Sequence, residues 1–570
     1  MSIFECYNSI MRNIIIIEAV STGYNLVEDA VRRGCRPVVM ELPGDSKDID
    51  EYRQRYYRIL YHKPEIFKAS YEYEETLEMV RKYDPLIIVP GFEGAVELAT
   101  RLSEDLGLTG NPYKNIAAMT RKDAMHEALK NAGLRYIKGK TVTSAEEAVA
   151  FCEENGLETA VVKPVRSASS QGLYLCDNTD EVRNAVNKLL TSNDIFGKPI
   201  THVLIQERIT GTEYVVNTAS SNGLHKINSI TRYHKTRTSE GGYIYDWEEN
   251  VMVLEDEHRK LVDYALKVAD AIGFKYGVIH GEYYIDDKGP ILVEVNCRPM
   301  GGSMPAEFLD MAFGQHETDT MLDAYLDPES FKKNMNKPYK PLRKYALKMI
   351  KVPRLLEVDD YTIKIIADQL KSTYITQISD TILPVIYEKT QDLDTSGGTI
   401  YLMDDDESVV MKDLEMLKFI EDNYFAFVFN DGMSRRWLKN ENIPENDIDV
   451  ITEDFECHGA ILAACDEAKD KEGMMVVTPD TIRDAHKGFD YVILGYSHSF
   501  LGLKEAQCLK LIFDTIDKVK PGGTVIIPDN TCEYLTYKEE GAKLLLKIKD
   551  MEADSVEIGG RKYVVGVSVR

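Results

Sequence analysis

Near the middle of the chain, HGEYYIDDKGPILVEVNCRP (residues 280–299) sets two carboxylates, an amide and a guanidinium close together: Glu282, Glu294, Asn296 and Arg298. GEYYI and PILVEVN read as strands, with DDKG as the turn of a hairpin. Side chains on a strand alternate faces, so Glu294 and Asn296 share one face and Arg298 continues the parity. The hairpin register can bring Glu282 opposite them. Carboxylate and amide oxygens are hard ligands, suited to magnesium held jointly with phosphates. An arginine beside them can grip a phosphate or carboxylate with two parallel donors. A salt-bridged surface hairpin is the plain alternative. Glu294 interrupts a strongly apolar strand, however, where an unpaired charge is costly, and that favours a metal.

Three further segments carry chemistry of a compatible kind. In VVKPVRSASSQGLYL (161–175) a strand ends at Lys163-Pro164, and a small-residue loop with Ser167, Ser169, Ser170 and Gly172 leads into another strand. Such a loop can offer N–H and hydroxyl donors to phosphates while Lys163 supplies charge, although GxxxxGK[ST] is absent. In VLIQERITGTEYVV (203–216) one strand ends at Gln206-Glu207 and Glu213 begins the next. Lys122, in TRKDAM, stands near a helix start. Between these and the hairpin lies SITRYHKTRTSEGGYIYDW (229–247), where Arg232, His234, Lys235 and Arg237 stand out from an acidic background. This cluster is a candidate for holding a substrate carboxylate or a γ-phosphate, which makes Arg232 a candidate catalytic residue beside Arg298. Trp247 or Tyr243 would then line a substrate loop.

These residues need a scaffold, and the flanking sequence supplies one. NIIIIEA, RPVVMEL and PLIIVPG are short apolar runs suited to buried parallel strands. Helical segments NLVEDAVRRG and FEGAVELATRLSEDLG alternate with them, so a small parallel sheet with helices on both faces is expected. Beyond the hairpin come the strands YALKMIKV and GGTIYLM and the helix SVVMKDLEMLKFIEDNYF, which the acidic run 404–408 precedes. The last ~140 residues return to an α/β rhythm. FAFVF, IDVIT, MMVVT, FDYVILGY and GGTVIIP are expected as strands, with DEAKD and LKEAQCLKLIFDTIDKVK as helices.

FEGAVELATRLSEDLGLTGN, RKDAM, VVKPVRSASSQGLY, QERITGTEY and the 280–299 hairpin occur in the order found in ATP-grasp ligases of the carboxylate–amine type, which residues ~13–427 resemble. The resemblance implies an α/β and α+β architecture. An N-terminal Rossmann-like domain (1–112) would precede an ATP-grasp domain (113–427), whose lid spans about 140–210. It implies ATP and Mg2+, with Mn2+ as a substitute, and the activation of a carboxylate as an acyl phosphate that an amine attacks. Lys122 and Lys163 would contact the phosphates, and the loop with Ser169, Ser170 and Gly172 would cover them. Gln206 and Glu207 would lie at the adenine hinge, with Ile209 also among the nucleotide contacts and Glu213 on the ribose. Glu282, Glu294 and Asn296 would bind the metal. Arg298 would stabilise the acyl phosphate and the transferring phosphoryl group. Related enzymes are often dimers, so a homodimer is an expectation of the same kind.

Residues 428–570 resemble, more faintly, the second half of a class I methyltransferase domain, in GFDYVILGYSHSFLG followed by LKEAQCLKLIFDTIDKVKPGGTVIIPDN. Glu453 or Asp454 would then hold cofactor ribose. The first strand should lead into a GxGxG-like turn but reads FAFVFNDGMSRRW, with only Gly432. A Rossmann-like, degenerate module serving assembly or substrate capping is therefore expected. An S-adenosylmethionine-dependent transferase is the alternative.

Bulk properties narrow the field. At 570 residues the chain exceeds one hydrophobic core, and a net charge of −26 opposes nonspecific binding to nucleic acid or anionic membrane. No apolar run approaches the ~18–20 residues of a membrane span. Nine scattered cysteines without a CxxC pattern fit reduced thiols, and Cys457 with Cys465 is the nearest pair that could share a metal. The N-terminal IIII run reads as a buried strand and not as a signal peptide, so a cytoplasmic enzyme acting on small molecules is expected.

Overall fold

A computed structural model describes residues 11–44, 47–165, 172–193, 199–237, 243–335, 337–353, 355–358, 362–378, 385–391, 393, 395–423, 448–454, 457, 459–464, 474–478, 481–495, 505–528, 538–558 and 561–569. The chain divides into two compact units, Met1–Lys344 and Tyr345–Arg570. Among the described residues no helix is long and apolar enough to cross a membrane.

The first unit opens with β1 (Asn13–Ile17), β2 (Arg36–Glu41), β3 (Glu65–Lys68) and β4 (Ile87–Pro90), a parallel sheet in the order β3-β2-β1-β4. The isoleucine run works on both faces at once. Ile14 and Ile16 join one core with Val39, while Ile15 and Ile17 join another with Val38 and Met40. Each such side chain contributes roughly 1.5–3 kcal/mol by leaving water. Helices α1 (Asn25–Arg32), α2 (Lys47–Ile59), α3 (Tyr73–Arg81) and α4 (Val96–Asp105) connect and cover the strands. The loops after β1 and β4 touch backbone to backbone. A Cβ on Gly23 would fall 2.1 Å from the Gly91 carbonyl oxygen, and one on Gly91 would fall 2.3 Å from that of Glu18.

After α5 (Lys122–Asn131) comes a four-stranded antiparallel sheet in the order β5-β8-β6-β7, formed by β5 (Gly139–Val142), β6 (Ala160–Pro164), β7 (Tyr174–Cys176) and β8 (Val203–Glu207). It packs on α6 (Ala145–Asn155) and α7 (Thr179–Leu190) through Val142, Phe151, Val162, Val186 and Ile205. Both helices start on a side-chain cap, with Ser144 accepting from Glu147 N and Asn178 from Glu181 N.

Within the first unit, β13-β12-β9-β10-β11 lie side by side in that order in a third sheet, all five antiparallel to their neighbours among them. Its strands are β9 (Thr212–Ser221), β10 (Leu224–Arg237), β11 (Tyr243–Asn250), β12 (Gly277–Asp286) and β13 (Gly289–Asn296). One face packs on α5 and α8 (Asp256–Ala271) through Tyr214, Val216, Tyr283, Leu292 and Val295. Period-2 alternation then sends Glu213 and Glu282 to the other face, and a bulge at Val293 lets Glu294 join them although Leu292, two residues earlier, lies in the core. Helices α9 (Ala306–Phe313) and α10 (Glu317–Leu326) follow the hairpin.

In the second unit, strands Met474–Val477, Ile461–Ala464, Phe489–Leu494 and Val519–Pro528 lie parallel in that order. Arg561–Ser568 and Met551–Ile558 extend the sheet antiparallel to their neighbours. The expectation of a strand at IDVIT is corrected: Ile448–Asp454 is a helix. Ile448 and Ile451, one helical turn apart, are both fully buried in the core of this unit, so packing outweighs the β preference of branched residues. The proposed strand-end acids Glu453 and Asp454 therefore sit on a helix. The expected strand FAFVF, the turn at Gly432 and the DEAKD helix lie outside the described residues.

Candidate active site

The hairpin of β12 and β13 pairs Glu282 directly with Glu294, and a bulge follows between Glu282 and Tyr283. Both carboxylates face Lys122, the first residue of α5: its Nζ is 2.6 Å from Glu294 Oε2, and Glu282 feels its charge. Burial alone would raise both carboxyls, but Lys122 holds Glu294 below the usual range. The neighbouring His280 imidazole and the Lys235 charge do the same for Glu282. Asn296 Nδ2 lies 3.5 Å from Glu294 Oε1. A pair of ionised carboxylates with an amide beside them, gathered around a cation, is the donor set a divalent ion takes. These residues fit magnesium.

Lys163, at the end of β6, comes into the same cleft from the second sheet. It is buried, and burial together with the Lys122 ammonium pushes it down to about 8. Lys122 itself is raised, because Glu294, Glu93 and Glu282 outweigh its burial. Two lysines crowded beside two glutamates form a pocket suited to a polyanion chelating a metal.

Around this centre, Gln206 is buried at the end of β8, and the Glu207 carboxylate accepts from Lys138 N at 2.8 Å. Ile209 is half-buried just beyond that strand. Gly172 takes a left-handed φ of +70° between β6 and β7, where a Cβ would press on Pro164 and Leu189. Ser167, Ser169 and Ser170 lie outside the described residues. Glu213 is held at both oxygens, by Lys235 Nζ at 2.6 Å and by the Tyr284 hydroxyl at 2.9 Å.

Arg298 continues from β13 and meets Glu93, which follows β4: Nε and Oε2 are 3.2 Å apart. Both atoms are buried without a hydrogen bond.

The basic cluster of β10 divides between the two faces. Lys235 faces Glu213 and sits over the Tyr245 ring at 4.3 Å. Arg232, expected as catalytic, pairs instead with Tyr214, whose ring belongs to the core under α8 and contacts His258. Parity puts it on the face opposite Glu213 and Glu282, and it is not among the residues brought together. His234 is on that far side too, stacked on Trp247 with ring centroids 3.4 Å apart. The Arg237 side chain lies outside the described residues. Cys465 does as well, while half-buried Cys457 has its thiol pushed up to about 11 by burial.

Sequence reasoning missed four contributors: Glu93, His280, Asn217 and Tyr284. His280 was findable, because it sits two residues before Glu282 and opposite Asn296 in register. It lies 3.6 Å from Glu282, and its other nitrogen is 2.9 Å from Asn217 Oδ1, an arrangement that fixes the carboxylate from behind.

Residues 158–307 match the family model of the ATP-grasp domain, and the chain carries such a domain. The chain is 27% identical over 259 residues to dapdiamide A synthase of Enterobacter agglomerans, a match covering 45% of this chain and 61% of that protein. It thus spans about three fifths of the curated relative. The fold is similar to that of the L-amino acid ligase from Bacillus licheniformis (TM-score 0.56, 16% identity, 71% of this chain and 97% of that one). It is also similar to N5-carboxyaminoimidazole synthase from Aspergillus clavatus, solved with ADP (TM-score 0.54, 14% identity, 72% and 99%).

Proposed function

We propose that this chain is an ATP- and magnesium-dependent ligase that joins a carboxylate, an amino acid or related acid, to an amine with release of ADP and phosphate. The observation that carries this reading is the convergence of Lys122 and Lys163 on Glu282 and Glu294 from separate structural elements. Names of similar proteins, an amino acid ligase and a synthase, support the substrate class.

A carboxylate is a poor acyl donor because its leaving group would be oxide. Transfer of the γ-phosphoryl group of ATP to it makes an acyl phosphate with a good leaving group. This step needs positioning and charge neutralisation more than covalent help from the protein. Glu282, Glu294 and Asn296 would hold magnesium, which neutralises phosphate charge when bound. Lys122 and Lys163 would take the phosphate oxygens. Gln206, Glu207 and Ile209 would border the adenine and Glu213 the ribose, with Lys235 and Tyr284 fixing its carboxylate. The Arg298 guanidinium would meet charge as it builds on the transferring group.

The test is ADP release from the full chain over pairs of carboxylates and amines, with products identified by mass. Release that requires both partners and magnesium, with an amide product, is the expected result. ATP binding without release over the whole panel would overturn it.

A further inference from the structure

The parallel sheet has its topological switch point between β1 and β4, because the chain leaves β1 toward β2 while β4 lies on its other side. In open α/β sheets the crevice beyond the carboxyl ends of such strands is where ligands bind. Here it is bordered by the loops Glu18–Tyr24 and Gly91–Glu93. Glu18 and Ser21 both hold left-handed backbone, at φ 59° and 51°. Such strain in residues other than glycine persists only where the surroundings enforce it.

A second loop, Pro299–Met304, is fastened to the crevice. Thr22 Oγ1 donates to Gly301 O at 3.1 Å and accepts from Met304 N at 3.0 Å, while Asn25 Nδ2 donates to Met304 O at 3.0 Å. The Tyr56 hydroxyl meets Ser303 Oγ at 2.7 Å, and Ser303 is again left-handed at φ 55°. Arg298 stands at the start of this loop and Glu93 at the end of the other.

Glu93 has one oxygen buried against Arg298 with no hydrogen bond, yet its side chain remains 28% exposed. Its other oxygen therefore keeps acceptor capacity beside the guanidinium expected at the acyl group. A primary ammonium has three donors and a positive charge to match. Phe92 adjoins it, with the Tyr52 ring 6.4 Å away and Tyr56 stacked edge-on to Tyr52 at 5.2 Å.

We propose that Glu93 receives the ammonium group of the amine substrate at this switch point, next to the acyl group held by Arg298, with the substrate's apolar part toward Phe92 and Tyr52. The proposal rests on the ligase reading and names the residue that recognises its second substrate.

Hydroxylamine tests it, because this nucleophile is uncharged at neutral pH and needs no carboxylate partner. The full chain and its Glu93→Gln variant are given one carboxylate from the ADP-release panel, with either an L-amino acid or hydroxylamine as acceptor. The KM for the amino acid acceptor is expected to rise about 10- to 100-fold, the range for losing a charge-assisted hydrogen bond. The ratio of hydroxamate to amide is expected to rise by about the same factor. Glu93→Asp, which keeps the charge, is expected to fall between the two and carries the comparison if the glutamine variant does not fold. An unchanged ratio, or a rise in KM for the carboxylate instead, overturns this proposal alone. Absence of hydroxamate with the unaltered chain overturns the ligase reading together with it.

Discussion

Lys122 Nζ lies 2.6 Å from Glu294 Oε2, and the two come from a helix start and a strand with over 150 residues of chain between them. Under the proposed function the contact joins the side of the cleft that would take phosphates to the side that would take the metal. In the proposed ligase Glu294→Gln removes a metal ligand, and it takes from the Lys122 ammonium its nearest counter-charge, leaving Glu93 and Glu282. Turnover is expected to drop about 100- to 1,000-fold. Far-ultraviolet circular dichroism should stay unchanged, which separates lost chemistry from lost fold.

Arg298→Ala is expected to act on the chemical step. In the proposed reaction its charge matters most as the phosphoryl group transfers, so kcat should fall about 100-fold or more while ATP affinity changes much less. Steady-state kinetics beside direct nucleotide titration will check this. An equal loss in both would place Arg298 on the bound nucleotide instead.

His316 gives the first unit a pH dependence. Its imidazole contacts both oxygens of fully buried Asp29, at 3.1 and 3.2 Å, and Asp310 at 2.7 Å. Burial opposes the charged form, but these two carboxylates win and raise it from 6.5 to about 9. A raised value means the stabilisation is complete below about pH 6.5 and lost as pH climbs through about 9, at up to about 1.4 kcal/mol per pH unit. Urea unfolding in a Trp437→Phe background, where Trp247 alone reports, should show His316→Gln less stable at pH 6 and converging on the parent by pH 10. Parallel curves would refute the assignment.

Asn111 imitates a piece of backbone. Its Oδ1 accepts from Lys275 N at 2.7 Å and Tyr276 N at 3.0 Å, and its Nδ2 donates to Tyr276 O at 2.8 Å. Asn111→Leu should destabilise the first unit by about 1–3 kcal/mol, with water reaching part of the site. Asn111→Asp, which keeps the acceptor, should cost less. Trp247 fluorescence in urea will rank them.

The hairpin was legible because strand parity alone puts Glu294 with Asn296, and a short turn limits where Glu282 can fall. Parity could not assign Arg232, since the face of a strand depends on its neighbours: Tyr214 and the helix beneath it decide which way β10 turns. Ile448-Asp-Val-Ile451 misled for a related reason, as branched residues suggest a strand while only packing reveals that every third one is buried. Glu93 was hidden inside a segment read as helix. Its signal is positional, a carboxylate placed directly after a buried parallel strand, and it acquires meaning only once strand order is known.

Gly23 and Gly91 meet where neither can carry a side chain, which couples the two loops that border the β1–β4 crevice. Lengthening or thickening one of them alone would push the other out of place and carry Thr22 and Glu93 with it. Under the proposal for Glu93, changes in the acceptors this scaffold tolerates would then arise by exchange at positions such as Tyr52, Tyr56 and Phe92. A library aimed at altered acceptor range should vary those three and leave both glycines fixed.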